Sequence, residues 1–156
     1  MPIAAARSAV LAIALAGCAG ELPEGPERAS PVAAEDSPRA FFRSYPEGLF
    51  DAFALTCGGP GQSTVRPADS EIRCESLPPV EAAAALILAF DGTVDDLPRA
   101  VTSVASQEAQ GGFVVTADTY IRVPQKDGGA RIVRQRNAER DAVIRQLLTR
   151  AGGDPI

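Results

Sequence analysis

Histidine and tryptophan are absent from all 156 residues, lysine occurs once, at Lys126, and tyrosine twice. Without histidine the chain lacks the commonest general base and the commonest metal ligand. That excludes Ser-His and Cys-His activation and any zinc site that needs an imidazole. No serine sits in a G-x-S-x-G elbow. Positive charge is short as well: 15 lysine and arginine residues face 20 aspartate and glutamate, a formal charge of −5. A general nucleic-acid binder has the opposite balance, so no nucleic-acid partner is expected. The two most apolar runs, Ala9 to Ala16 and Ala82 to Phe90, hold eight and nine residues. A helix needs about 20 to cross a bilayer core.

What the N-terminus does contain is the three-part plan of a secretory signal. One early cation, Arg7, precedes an apolar stretch from Ala9 to Ala16 that ends in small residues. The last four positions, Leu15-Ala16-Gly17-Cys18, resemble the lipobox of bacterial lipoproteins: a leucine, two small residues and a cysteine. The resemblance covers only about the first eighteen residues. It implies cleavage between Gly17 and Cys18, a thioether-linked diacylglycerol on Cys18, and a further acyl chain such as palmitate on the new N-terminus. Two or more chains hold a protein on a membrane where one lets it dissociate. Ala19 follows the cysteine; by the sorting rule of enteric lipoproteins, the lack of aspartate there implies the outer membrane, facing the periplasm.

With Cys18 lipidated on this reading, Cys57 and Cys74 remain, and an even pair in an exported chain is expected to form a disulfide. Reactive or free thiols are the alternative; the spacing is not C-x-x-C and no histidine is present as a co-ligand. Removing residues 1–17 takes away only Arg7, leaving 15 − 1 = 14 cations against 20 acids.

Residues 18–37 read as the lipidated cysteine and a tether: Pro23, Pro26 and Pro31 alternate with Glu21, Glu24, Glu27, Glu35 and Asp36. Such composition buries too little apolar surface to fold. Residues 38–153 read as one α+β domain, large enough for a single core. Ser37-Pro38 is a helix start, with Phe41 and Phe42 in a short helical turn that Pro46 interrupts. A second helix follows, with Leu49, Phe50, Phe53, Ala54 and Cys57 at helical spacing, and Gly58-Gly59-Pro60-Gly61 ends it. That glycine run lacks the lysine and hydroxyl residue of a phosphate loop.

Residues 70–75 read as a short strand delivering Cys74. The alanines after Glu81 favour a helical turn, and Ala84 to Phe90 before Asp91-Gly92 reads as a strand entering a turn. Arg99 to Glu108 and Phe113 to Val123 make a hairpin about Gln110-Gly111-Gly112. In its second arm Phe113, Val115, Ala117, Ile121 and Val123 fall on a packed face; Thr116, Asp118, Tyr120 and Arg122 fall on a wet one. Lys126-Asp127-Gly128-Gly129 turns into a strand from Arg131 to Arg136. Asn137 caps a final helix whose buried stripe is Val143, Ile144, Leu147 and Leu148, ended by Gly152. The expected architecture is a two-layer α+β domain: an antiparallel sheet of about four to five strands with an N-terminal and a C-terminal helix.

Candidate chemistry is sparse. Asp91, Asp95 and Asp96 cluster at a turn without the spacing of a calcium loop. Glu108 and Asp118 lie on opposite arms of one hairpin, as an acid–base carboxylate pair would. The sharpest nonuniformity is electrostatic: Arg131 to Arg150 holds six arginines against Glu139 and Asp141. Arg136, Arg140, Arg145 and Arg150 are the candidate basic contact face for anionic lipid or an acidic partner; a solvated helix with an Asp141–Arg145 pair is the plainer reading. The sequence leads to a non-enzymatic envelope lipoprotein with no catalytic, metal or cofactor residues, acting through a protein partner. A module holding a small or lipidic ligand against Phe41–Phe53 and Leu86–Phe90 is the alternative.

Overall fold

The long hairpin is the spine on which the other strands assemble. In the computed structural model, which describes residues 31–156, the chain runs β1 (Arg39–Phe42), α1 (Glu47–Thr56), β2 (Gln62–Ala68), β3 (Glu71–Ser76) and α2 (Val80–Ala89). It continues through β4 (Arg99–Ala109), β5 (Gly112–Pro124), β6 (Ala130–Val133), α3 (Ala138–Arg150) and β7 (Asp154–Pro155). The signal segment, Leu15-Ala16-Gly17-Cys18 and the tether up to residue 30 lie outside the described residues.

All strand pairs are antiparallel and form one sheet in the order β2-β3-β4-β5-β1-β7. Strand β5 is long enough to serve two neighbours on one side: β1 pairs with residues 113–116 and β6 with residues 121–124. The sheet thus has seven strands rather than four to five, and three helices accompany it among the described residues.

Alternation sends Ala40 and Phe42 of β1, Ile72 of β3, Val104 of β4, and Val115 and Ala117 of β5 to one face. There they meet Phe50 from α1 and Leu148 from α3, with Leu49, Phe53, Ala54 and Ile144 packed around them. Phe50 and Ile72 are almost wholly enclosed, so truncating either removes a filled core position, a loss of about 3–5 kcal/mol for phenylalanine. The disulfide Cys57–Cys74, with Cα atoms 5.6 Å apart, ties the end of α1 to β3 on this same face. Tyr45 stacks on Phe50 at 5.4 Å and meets Phe113 edge-on at 5.5 Å, seating the entry to α1. At Gly112 a Cβ would fall on the Phe42 carbonyl; only glycine lets β1 lie this close to the hairpin.

Four expectations are corrected. Phe41 and Phe42 are not in a helical turn but in β1, because their pairing with Val114 and Phe113 supplies the backbone bonds a one-turn helix would lack. Ala84 to Phe90 is not a strand: the alanine run carries α2 through to Ala89, and Asp91, at φ 53°, then breaks it. The α3 stripe is half right, since Leu148 is buried and Ile144 half-buried, whereas Val143 and Leu147 are about half exposed, at 51% and 53%. Asn137 does cap the helix, its side chain accepting from the Arg140 N–H at 2.9 Å, and Gly152 ends it. Finally, the second face of β5 is not wet: Asp118 and Tyr120 are 4% and 3% exposed.

Candidate functional site

Two places combine enclosure with varied side chains. The first is a cleft of about 950 Å³ where the first turns of α1 face the last turn of α3. Phe42, Leu49, Phe53 and Leu147 give it an apolar lining, and Arg43, Glu47, Arg150 and Asp154 bring charge of both signs to it. The helix stripe creates it: Phe50 points into the core, and Leu49 and Phe53 turn partly sideways toward α3. The cleft is open, it lacks a nucleophile–base pair, and its charges are balanced. It suits apolar contact more than chemistry. The Leu86–Phe90 stretch does not line it; Ile87 and Leu88 border a separate space with Asp91, Thr93, Asp95 and Lys126.

The second place is the face of the sheet opposite α1 and α3, where Asp118 gathers a buried polar network. Its carboxylate accepts from Arg134 Nε at 3.0 Å and Nη2 at 2.8 Å, from Ser37 Oγ at 3.3 Å, and from the Thr119 N–H at 2.9 Å. Arg134 also lies 5.6 Å from the centre of the Tyr120 ring. Arg73 donates to Glu71 at 2.7 Å on the same face, both buried. Burial pushes the Tyr120 hydroxyl up to about 12; Glu71, Glu75 and Asp118 add to the rise and Arg73 opposes it. The phenol therefore stays protonated over the physiological range, a hydrogen-bonding group rather than a base or nucleophile.

Residues 31–37, read from sequence as the end of the tether, lie along this face. Arg134 Nη2 donates to the Val32 carbonyl at 2.7 Å, and Arg39 Nη2 to that of Glu35 and Arg136 Nη2 to that of Asp36, both at 2.8 Å. The four arginines of the candidate basic face are divided. Arg136 pairs with Asp36 at 2.7 Å and with buried Asp141 at 3.4 Å, so Asp141 turns to Arg136 rather than to Arg145. Arg140 donates to the Gln135 carbonyl, Arg145 borders a cleft with Glu35 to Arg39 and Ile156, and Arg150 lines the α1–α3 cleft. A spacing of five residues turns about 140° around a helix, which spreads Arg140, Arg145 and Arg150 instead of aligning them.

The acidic candidates also separate. Asp118 is opposite Ser103 and Glu108 opposite Phe113, an odd number of positions apart on β4, so the two carboxylates point to opposite faces. Asp96 pairs with Arg122 at 3.3 Å, and Asp95 exchanges bonds with Thr93. Among the described residues no three histidine, cysteine or acidic side chains converge as a metal would require. Gly58-Gly59-Pro60-Gly61 leads from α1 into β2, with Gln62 Oε1 accepting from the Gly59 N–H. The Asp118 network had one sequence signal: aspartate in the middle of a strand is disfavoured unless something holds it. No family model matches the chain, and no curated protein or solved structure is significantly similar to it.

Proposed function

We propose that the chain is a lipid-anchored envelope protein, attached through Cys18 and facing the periplasm from the outer membrane, that acts without catalysis as a protein-interaction subunit. The observation that carries the docking half is the open α1–α3 cleft, where Leu147 stands half exposed beside Phe53 and no reactive constellation accompanies them. Leu15-Ala16-Gly17-Cys18 supports the anchor. The joined Cys57–Cys74 pair supports an oxidising compartment.

The test is crosslinking in cells, comparing the full chain with Cys18→Ala and Leu147→Asp. The expected outcome is one discrete protein partner, lost from both variants, with Cys18→Ala leaving the membrane fraction. Leu147→Asp should cost about 1–2 kcal/mol and leave the domain folded, because the side chain is only half buried and sits near the C-terminus of α3. Partner capture unchanged by Leu147→Asp sinks the docking role of the cleft; Cys18→Ala remaining in membranes sinks the anchor. A second reading, an apolar or lipidic ligand held in the same cleft, is favoured by its volume of about 950 Å³. Native mass spectrometry of the purified chain reads it: bound small molecules released by Leu147→Asp would replace the protein partner.

A further inference from the structure

The segment 31–37 is held in an unusual way for the end of a linker. Three arginines from two parts of the chain, Arg39 in β1 and Arg134 and Arg136 ahead of α3, each donate to one of its main-chain carbonyls. Arg136 also takes the Asp36 carboxylate at 2.7 Å. Carbonyl recognition tolerates many sequences; carboxylate recognition selects acidic ones. The segment itself contributes little apolar burial, since Val32 is 90% exposed. Its attachment rests on these hydrogen bonds, one exposed ion pair and, at its C-terminal end, the buried Ser37 hydroxyl on Asp118 at 3.3 Å; the gain over residues 31–36 is comparable with the entropy lost in ordering the backbone. A released form is within thermal reach.

We propose that this segment is an intramolecular strap occupying a surface that recognises extended acidic peptide, and that an acidic segment of a partner protein docks there by displacing it. Charge complementarity argues for the occupant. The strap brings Glu35 and Asp36 to a surface bearing Arg39, Arg136 and Arg145, and Arg39 Nε is buried there with no acceptor among the described residues. A cleft of about 420 Å³ separates the strap residues Glu35 to Ser37 from Arg145 and Ile156, so Arg145 faces the strap across open space rather than gripping it. Because the strap is covalently attached, it competes at high effective concentration, and a partner sees its affinity reduced by the fraction of time the surface is covered. The strap is thus a threshold on binding as well as a tie. This holds whether or not Cys18 carries lipid.

The experiment is an NMR titration of the full chain, isotope-labelled, with a synthetic peptide of residues 31–38 and with a neutral copy in which Glu35 and Asp36 are replaced by glutamine and asparagine. Asp36→Arg sets the strap against Arg136 without disturbing the core, as the Asp36 side chain is 67% exposed. In this variant amide exchange of residues 32–37 should rise about tenfold or more while β4 and β5 keep their protection. The acidic peptide should then bind about tenfold more tightly than to the natural chain, and adding Arg136→Gln should remove the gain. Equal binding to the natural and strap-released forms would overturn the proposal, as would equal binding of the neutral peptide. Faster exchange with no binding at millimolar peptide would reduce the strap to a structural clamp, and unchanged exchange in Asp36→Arg would refute the clamp as well.

Discussion

Replacing Cys57 and Cys74 together by alanine removes the one disulfide cross-link between the end of α1 and the sheet among the described residues. The bond closes a loop whose ends are 17 residues apart. In the chain-entropy account such a loop restrains the denatured chain by about 3 kcal/mol at 25 °C. A domain of this size has about 5–15 kcal/mol in all, so the loss is a fifth or more of its stability and should lower Tm by about 10 °C. Alanine is preferred to serine because Cys57 is buried, at 6% exposure, and a hydroxyl there would need a partner. Guanidinium unfolding is the assay. The midpoint should fall and the m-value rise slightly as the freed denatured chain exposes more surface. Hydrogen exchange should report faster opening in α1 than in β4, since β4 keeps strands on both sides. Natural protein under reductant should match the double variant within about 1 kcal/mol. A loss below about 1 kcal/mol, with no change in m, would refute the reasoning, because it would mean that the bond does not restrain the denatured chain.

Asp118→Ala strips the carboxylate from Arg134, Ser37 Oγ and the Thr119 N–H together. Removing one member of a buried pair costs about 3–5 kcal/mol; with the Arg134 side chain 24% exposed the expected loss in urea unfolding is about 2–4 kcal/mol. Adding Arg134→Met should recover part of it, and strict additivity would mean the pair is not coupled. Tyr120 should ionise near pH 12 instead of its ordinary 10.0 in an ultraviolet pH titration. The folded form then holds a proton that the unfolded form has already released. The corresponding stability is intact below pH 10 and falls by about 2–3 kcal/mol as pH rises through 12; Tyr120→Phe should abolish that fall, and its persistence would assign it elsewhere.

The parts legible in the sequence were those governed by neighbours along the chain. The β4–β5 hairpin, the α1 stripe through Phe50 and the Asn137 cap of α3 each carry their signal within a dozen residues. The antiparallel character of the sheet followed from the hairpins. Elements that depend on distant partners were not legible. Strand β1 is only four residues long and is defined by β5, more than seventy residues later. Strand β2 is exposed along almost its whole length and contains Pro67, so no alternation announces it. In α2 the competition between Leu86-Ile87-Leu88 and the preceding alanines was decided by helix propensity. Asp118 and Tyr120 looked solvent-facing because their covers, Arg134 and residues 31–37, come from elsewhere in the chain. The basic residues were visible as a cluster in sequence, yet the helix distributes them to three different surroundings.

Strand β1 has a consequence for the order in which the molecule can be built. It lies between β5 and β7, so the first strand of the domain is completed by its last one. A chain that emerges from a ribosome or a translocation pore N-terminus first must therefore present Arg39–Phe42 long before either partner exists. Local hairpins close early, and loop-closure entropy defers the pairing of Ala40 with Pro155 to the end. Until β5 has formed, Phe41 and Phe42 are an unpaired apolar strand in a partly made protein, the kind of segment that chaperones bind and aggregates recruit. Strand β7 thus has a closing part in folding: β1 is sealed from both sides only once Asp154 and Pro155 have been added to the sheet.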